Sequence, residues 1–185
     1  MAADLNQPAR PSWWRTIVIG RRPVFTLVRI IVLVLLVFLI RQFVLTPIQI
    51  VGPSMMPTYA DRGVNLVNRL AYFSHEPARG DVVSIRTSGD HIMYMKRVIG
   101  LPGETVAFRD GHAFVNGQQL DEPYVIYPCD WNLAPVTVEP GKYLVIGDNR
   151  SMPPDNHVFG QAERRRIVGR VLLCKNLFVS WGRSR

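Results

Sequence analysis

Val24-Phe25-Thr26-Leu27-Val28-Arg29-Ile30-Ile31-Val32-Leu33-Val34-Leu35-Leu36-Val37-Phe38-Leu39-Ile40-Arg41-Gln42-Phe43-Val44-Leu45 is the stretch on which the organisation of this chain turns. Eighteen of its twenty-two residues are apolar, with no interruption from Ile30 to Ile40. As a helix rising about 1.5 Å per residue it would measure roughly 33 Å, against a hydrocarbon layer of about 30 Å. Arg29 and Arg41 stand near its ends, where long cationic side chains reach back to the interface. The buried helix of a soluble protein would carry a polar stripe, and none is present. A cleavable leader would have a shorter apolar core and a small-residue cleavage site, whereas Gln42-Phe43-Val44-Leu45-Thr46-Pro47 follows here. Residues 24–45 therefore read as an uncleaved transmembrane anchor.

Upstream stand Arg10, Arg15, Arg21 and Arg22, with Trp13 and Trp14 suited to a membrane interface. Basic residues stay on the cytoplasmic side, so residues 1–23 are expected to form a cytoplasmic basic N-terminus and residues 46–185 an extracytoplasmic domain. The expected location is the cytoplasmic (inner) membrane, crossed once.

Charge supports the same partition. The chain of 185 residues carries a net +8, but residues 1–41 contribute +5, residues 164–185 contribute +7, and residues 42–163 are acidic at −4. A nucleic-acid-binding domain places its basic stripe on the folded body. With positive charge at both ends, the expected partner is the lipid bilayer and no nucleic acid. The basic tail fits anionic headgroups, at about 1 kcal/mol per residue near the surface. At 48% hydrophobic and 19% charged residues, a disordered or collagen-like chain is excluded. Cys129 and Cys174 permit one disulfide in an oxidising compartment, and equally permit two thiols.

Beyond Pro47 the texture turns to short β-type runs broken by Gly, Pro and Asx residues. These runs are 63–67, 81–86, 93–99, 105–108, 113–115, 143–146 and 168–174. Asp110-Gly111 and Asn116-Gly117 are tight hairpin signals on either side of 113–115. No 3.6-residue period extends over eleven positions there, which predicts a mostly β domain with at most a short helix. Residues 121–141, rich in Pro, Tyr and acids, read as an irregular insertion or cap.

No metal or other cofactor is called for. His75, His91, His112 and His157 are scattered, and the two cysteines lie far apart in sequence. Arg79-Gly80-Asp81 reads as a turn opening into a strand, and Asn149-Arg150-Ser151 is formally a glycosylation acceptor. No serine occupies a nucleophile-elbow pattern.

Gly52-Pro53-Ser54-Met55-Met56-Pro57-Thr58 follows the anchor closely, and Tyr94-Met95-Lys96-Arg97-Val98-Ile99-Gly100-Leu101-Pro102-Gly103-Glu104 comes about forty residues later. A serine in such a constrained loop is a nucleophile if a neighbour removes its proton. A lysine can do so only when neutral. Its ordinary pKa of about 10.4 leaves fewer than roughly one amine in a thousand neutral at pH 7, and lowering it to about 7 takes on the order of 4 to 5 kcal/mol, which burial can supply. Strand alternation places Lys96 with Tyr94 and Val98, and Arg97 with Met95 and Ile99 on the other face. Pattern alone equally describes a solvated strand lysine and an ordinary loop serine.

These residues resemble the boxes of the type I signal peptidases, membrane-anchored serine endopeptidases with a Ser/Lys dyad. Ser54-Met55-Met56-Pro57-Thr58 is similar to the nucleophile box, Arg79-Gly80-Asp81-Val82-Val83 to the next, Lys96 to Glu104 to the general-base box, and Gly147-Asp148-Asn149-Arg150 with Asp155 and Gly160 to the last. The resemblance implies an antiparallel β catalytic domain with a small cap insertion, about residues 105–141. It implies Ser54 as nucleophile, Lys96 as general base, and Arg97, Asp148 and Asp155 as support. Ile48, Ile50, Val51, Met55, Tyr59, Tyr94 and Met95 would line the peptide groove. The implied substrates are signal-peptide-bearing precursor proteins with small residues before the cut, and the secretion translocon is a further implied partner.

Three positions depart from the family pattern. Gly52 replaces a serine that assists the oxyanion, Pro153 a serine that orients the lysine, and His157 an arginine that pairs with the aspartate. Proline offers neither hydroxyl nor N–H, leaving Ser151 or water to replace it. The departures also fit a specialised pilin- or conjugation-type peptidase, or an inactive relative that binds signal-peptide-like segments. A self-cleaving regulator with a Ser/Lys pair is disfavoured by the anchor.

Overall fold

The computed structural model describes residues 23–49, 52–86, 93–127, 129–153 and 160–172. Ile50, Val51, Asp155, His157 and Cys174 fall outside them, as do the basic N-terminus 1–22 and most of the basic tail. The chain divides into two compact units, residues 1–42 and 43–185.

The first unit contains helix α1, Pro23–Leu39, which continues into a wider π-type turn, Ile40–Val44. The apolar span Val24–Val44 is long enough to cross a membrane, and none of its residues is buried by protein. Its apolar side chains from Val24 to Ile40 are exposed all round, as a lipid-facing helix requires.

The second unit is built from two antiparallel sheets. Strands β1 Leu45–Gln49, β2 Val64–Asn68, β3 Val82–Arg86, β4 Met93–Gly100, β9 Lys142–Ile146, β10 Gly160–Glu163 and β11 Ile167–Leu172 form a seven-stranded sheet ordered β1-β2-β11-β3-β4-β9-β10. Strands β5 Thr105–Arg109, β6 His112–Val115, β7 Gln118–Gln119 and β8 Leu133–Thr137 form a four-stranded sheet ordered β7-β6-β5-β8. Among the described residues beyond 47, helical structure is limited to 3-10 turns at Pro53–Met55 and Arg164–Arg166. The mostly β fold expected from the sequence is the fold found.

Both hairpin signals act as their chemistry predicts. Asp110 and Gly111 take φ of 47° and 79°, and Asn116 and Gly117 take 51° and 82°, the left-handed pair that a two-residue turn between twisted strands needs. Residues 105–119 form the meander that the hairpin signals predict, whereas residues 121–141, expected to be irregular, contribute β8, which returns to pair with β5.

Three apolar clusters hold the domain. Ile99, Val106, Phe108, Trp131, Val138 and Ile146 pack with their neighbours between the two sheets. Val83, Ile85, Val98, Val145 and Ile167 cover one face of the large sheet, with Tyr72 and Tyr143. Met55, Tyr59, Val67, Val82, Met95 and Val171 close the other. The alternation of β4 thus sends Val98 and Met95 to different clusters, as period two requires.

Two of the sequence boxes brace each other. Arg79 donates to the Ile99 carbonyl and to the Glu104 carboxylate, and Glu104 accepts the Leu101 N–H at 2.7 Å. Arg79-Gly80-Asp81 forms the turn that its sequence predicts. Gly80 has φ of 88°, the Asp81 N–H returns to the Ala78 carbonyl, and the Asp81 carboxylate accepts the Ala78 N–H at 3.1 Å.

Candidate active site

Lys96 lies in β4, between β3 and β9 in the interior of the large sheet, opposite Val83. It is 5% exposed. It borders a cleft of about 240 Å³ together with Ile85, Tyr94 and Val145, rimmed by the charged residues Arg86, Lys142, Glu163 and Arg166. Burial pushes its amine below the ordinary lysine value, and the Asp148 carboxylate opposes that shift without cancelling it.

Ser54 sits in the 3-10 turn that follows β1, and this turn contacts β4. Its position is fixed from beneath by residues 147–149, which run on from β9. The Ser54 carbonyl accepts the Asn149 N–H at 3.0 Å, and the Asn149 side-chain amide donates to the Pro53 carbonyl at 3.1 Å. Gly147 makes this approach possible: a Cβ there would stand 2.2 Å from the Ser54 carbonyl oxygen and 3.2 Å from the Ser54 Cβ. Because Arg97 pairs with Ile146, this floor adjoins the strand that carries Lys96. The Asn149 amide is thus buried and engaged, which removes it as a glycosylation acceptor in the folded protein.

Arg97, on the face of β4 opposite Lys96, grips Asp148 with Nε at 2.8 Å and a terminal nitrogen at 2.5 Å, and its other nitrogen reaches the Gly80 carbonyl at 2.8 Å. Asp148 is fully buried. Two residues on, Arg150 is 1% exposed and paired with Glu122. Nothing in the sequence singles out Glu122 or Tyr124 beyond the acidic and aromatic content of the insertion. Tyr124 lays its ring 3.8 Å from the Arg97 guanidinium carbon and donates its hydroxyl to Glu122 at 2.8 Å. Burial and the Glu122 carboxylate push that hydroxyl above the ordinary phenol range.

The residues expected to line a groove divide between two faces. Met55, Tyr59 and Met95 are buried together, with Ile48 half-buried at their margin. Tyr94 is 43% exposed on the Lys96 side. Gly52 has φ of 108°, a conformation in which a serine would be strained, and donates its N–H to Asp61 at 2.8 Å. The Ser151 hydroxyl, a candidate replacement at the Lys96 amine, is instead given to the Asn149 side-chain oxygen at 2.7 Å. Cys129 keeps a free thiol, which it donates to the Gly111 carbonyl at 3.4 Å.

A family model described as signal peptidase, peptidase S26, matches residues 24–175. The chain belongs to this family. A probable signal peptidase I-2 of Synechocystis is 34% identical to the peptidase over 146 residues, 76% of this chain and 67% of its own length. Signal peptidase I T of Bacillus subtilis is 38% identical over 151 residues, 76% of this chain and 78% of that one. The crystal structure of a signal peptidase I from Enterococcus faecalis is 30% identical, with a TM-score of 0.44, and matches 52% of this chain and 97% of its own. The peptidase is accordingly a serine endopeptidase.

Proposed function

We propose that this endopeptidase removes signal peptides from exported precursor proteins, with Ser54 as nucleophile and Lys96 as general base. The observation that carries this reading is the lysine itself: an amine held 5% exposed in an interior strand, its proton affinity lowered by burial, with the serine's turn resting on that strand. In water such an amine would be protonated and useless as a base.

The chemistry then runs as acyl transfer. The Ser54 hydroxyl oxygen attacks the scissile carbonyl while the Lys96 amine takes its proton. The tetrahedral oxyanion is held chiefly by the Ser54 backbone N–H, since Gly52 brings no hydroxyl. Collapse expels the amine of the mature protein, which receives the proton from Lys96, and leaves an ester on Ser54. Water, deprotonated by Lys96, attacks that ester and restores the serine. Arg97 and Asp148 tie β4 to the segment on which the Ser54 turn rests, and Asp155 is assigned to the same support.

Ile48, Ile50, Val51, Met55, Tyr59, Tyr94 and Met95 are assigned to the peptide groove and its shallow pockets. The anchor, which ends at Val44 because Leu45 opens β1, crosses the cytoplasmic membrane with residues 1–23 in the cytoplasm, by the distribution of arginine. Residues 46–185 work on the other side, close to the bilayer and to the translocon that delivers the precursor, and residues 105–141 form a cap.

The test is to incubate the detergent-solubilised chain, and its Ser54→Ala and Lys96→Ala variants, with a precursor bearing an Ala-x-Ala site. Cleavage by the wild type alone is expected. A wild type that leaves a panel of precursors uncut while retaining them would establish a binding protein instead, and cleavage surviving in Ser54→Ala would dismiss the dyad.

A further inference from the structure

The Ser54 turn rests on 147–149, so whatever fixes that segment fixes the serine. Asp148 is held by Arg97, but the Gly147 carbonyl, at the point of closest approach to Ser54, is held by Arg150, whose Nε donates to it at 3.0 Å. Arg150 belongs to a second, deeper arrangement. Its two terminal nitrogens both bind Glu122, at 3.2 Å to one carboxylate oxygen and 2.5 Å to the other. A guanidinium is flat and its donors form a rigid fork, so a carboxylate seated across both terminal nitrogens decides where Nε points. It points at Gly147. The rings of Phe108 and Trp131 lie 5.4 and 5.9 Å from the guanidinium carbon.

We propose that Glu122, carried by the insertion and not by the seven-stranded sheet, is a positioning residue for the turn that presents Ser54. It acts through Arg150 and the Gly147 carbonyl, and it rests on the reading of Ser54 as nucleophile. Glu122 also accepts the Tyr124 hydroxyl, and the Tyr124 ring lies over Arg97, the partner of Asp148. One carboxylate from the cap therefore steadies both residues 147 and 148. Without it, the Arg150 charge, 1% exposed, has lost its counter-ion and must seek other acceptors. Its Nε is then no longer aimed at Gly147, and the Ser54 carbonyl loses a fixed neighbour.

The experiment uses the full-length chain in detergent with the same precursor. Glu122→Ala, Glu122→Gln and Glu122→Asp are compared with Ser54→Ala and with Val115→Ala, a buried truncation in the same apolar cluster that removes none of these hydrogen bonds or ion pairs. Glu122→Ala is expected to lower kcat by about 10²-fold, the loss that displacement by about 1 Å brings, with KM moved by less than about threefold. Glu122→Asp, which keeps the charge and both oxygens, should recover much of kcat, and Glu122→Gln less. Val115→Ala should keep kcat when compared at equal folded fraction. The proposal fails if the Glu122 variants lose no more kcat than Val115→Ala, or if the loss lies in KM. If Glu122→Ala does not fold, the order of the Asp and Gln variants decides. Cleavage surviving in Ser54→Ala would remove the nucleophile reading, a result distinct from normal kcat in the Glu122 series.

Discussion

The guanidinium of Arg97 and the carboxylate of Asp148 form a two-point pair in which the arginine side chain is 11% exposed and the aspartate 0%. A buried pair of this kind is costly to break, because the survivor keeps its desolvation penalty without its partner. Arg97→Met should destabilise the domain by about 3–5 kcal/mol in denaturant titrations, and Asp148→Leu in the same chain should restore part of that loss. The single variant has a second signature. With Arg97 gone, the Asp148 charge acts on Lys96 unopposed and raises the amine's affinity for its proton. The rising limb of kcat/KM should therefore move to higher pH. An unmoved limb would mean that Asp148 does not reach the base.

Burial of Lys96 sets a pH dependence of stability as well as of rate. In the unfolded chain the amine holds its proton up to about pH 10.4. In the folded chain the proton leaves earlier. Between those two values the unfolded state binds more protons, so stability rises with pH across that window. Below it, the buried ammonium costs its full penalty, about 1.4 kcal/mol for each unit of displacement. Lys96→Met should accordingly be more stable than wild type at about pH 6, and the advantage should shrink as pH climbs through that window and level off above about 10.4. Thermal melts of both proteins through that range measure it. A stability difference that ignores pH would show that the amine is not depressed. Activity of the wild type should rise in parallel from about pH 6 to 9.

How much of this was legible in the sequence follows from where each strand lies. The interior strands β2, β3, β4, β5, β6, β9 and β11 match the sequence runs to within a residue or two, because both of their edges are paired and apolar side chains must fill at least one face. The four strands without a sequence signal are β1, β7, β8 and β10, which are the four edges of the two sheets. Pro47 and Pro135 sit in β1 and β8, where an edge strand tolerates a missing N–H and where strand propensity is poor. Leu45 was assigned to the membrane anchor because nothing in a run of apolar residues marks where helix becomes strand. At the site, Ser54 and Lys96 were visible as motifs. Glu122 and Tyr124 were not, since their importance comes from partners twenty-five or more residues away.

Gly147 is expected to be intolerant of any side chain, for a reason local to Ser54. The added methyl of Gly147→Ala would stand 2.2 Å from the Ser54 carbonyl oxygen, and that contact is with backbone, which cannot rotate aside. The turn must lift from the floor, breaking the Asn149 N–H bond that holds it at 3.0 Å. A displacement of about 1 Å at a reacting atom costs on the order of 10²-fold in rate. Gly147→Ala should therefore lose kcat by about that factor while its denaturation midpoint falls much less than that of Arg97→Met. Full activity in Gly147→Ala would show that the Ser54 turn can move without consequence.

Gly100 gives the complementary case, a glycine whose importance is to packing and not to catalysis. It ends β4 where the chain leaves the large sheet for the small one, and a Cβ there would meet a methyl of Val106 at 2.7 Å, a methyl of Val138 at 2.9 Å and the Leu144 Cβ at 3.1 Å. Val106 and Val138 are buried in the cluster between the sheets and have little room to turn. Overpacking of this kind costs about 1–3 kcal/mol. Gly100→Ala should lower the unfolding free energy by that amount while the folded fraction keeps kcat close to wild type, because the strain falls between the sheets and not on the floor beneath Ser54. Trimming Val106 to alanine in the same chain should relieve part of the loss. If the double variant is no more stable than Gly100→Ala alone, the inter-sheet contact is not the source of the strain.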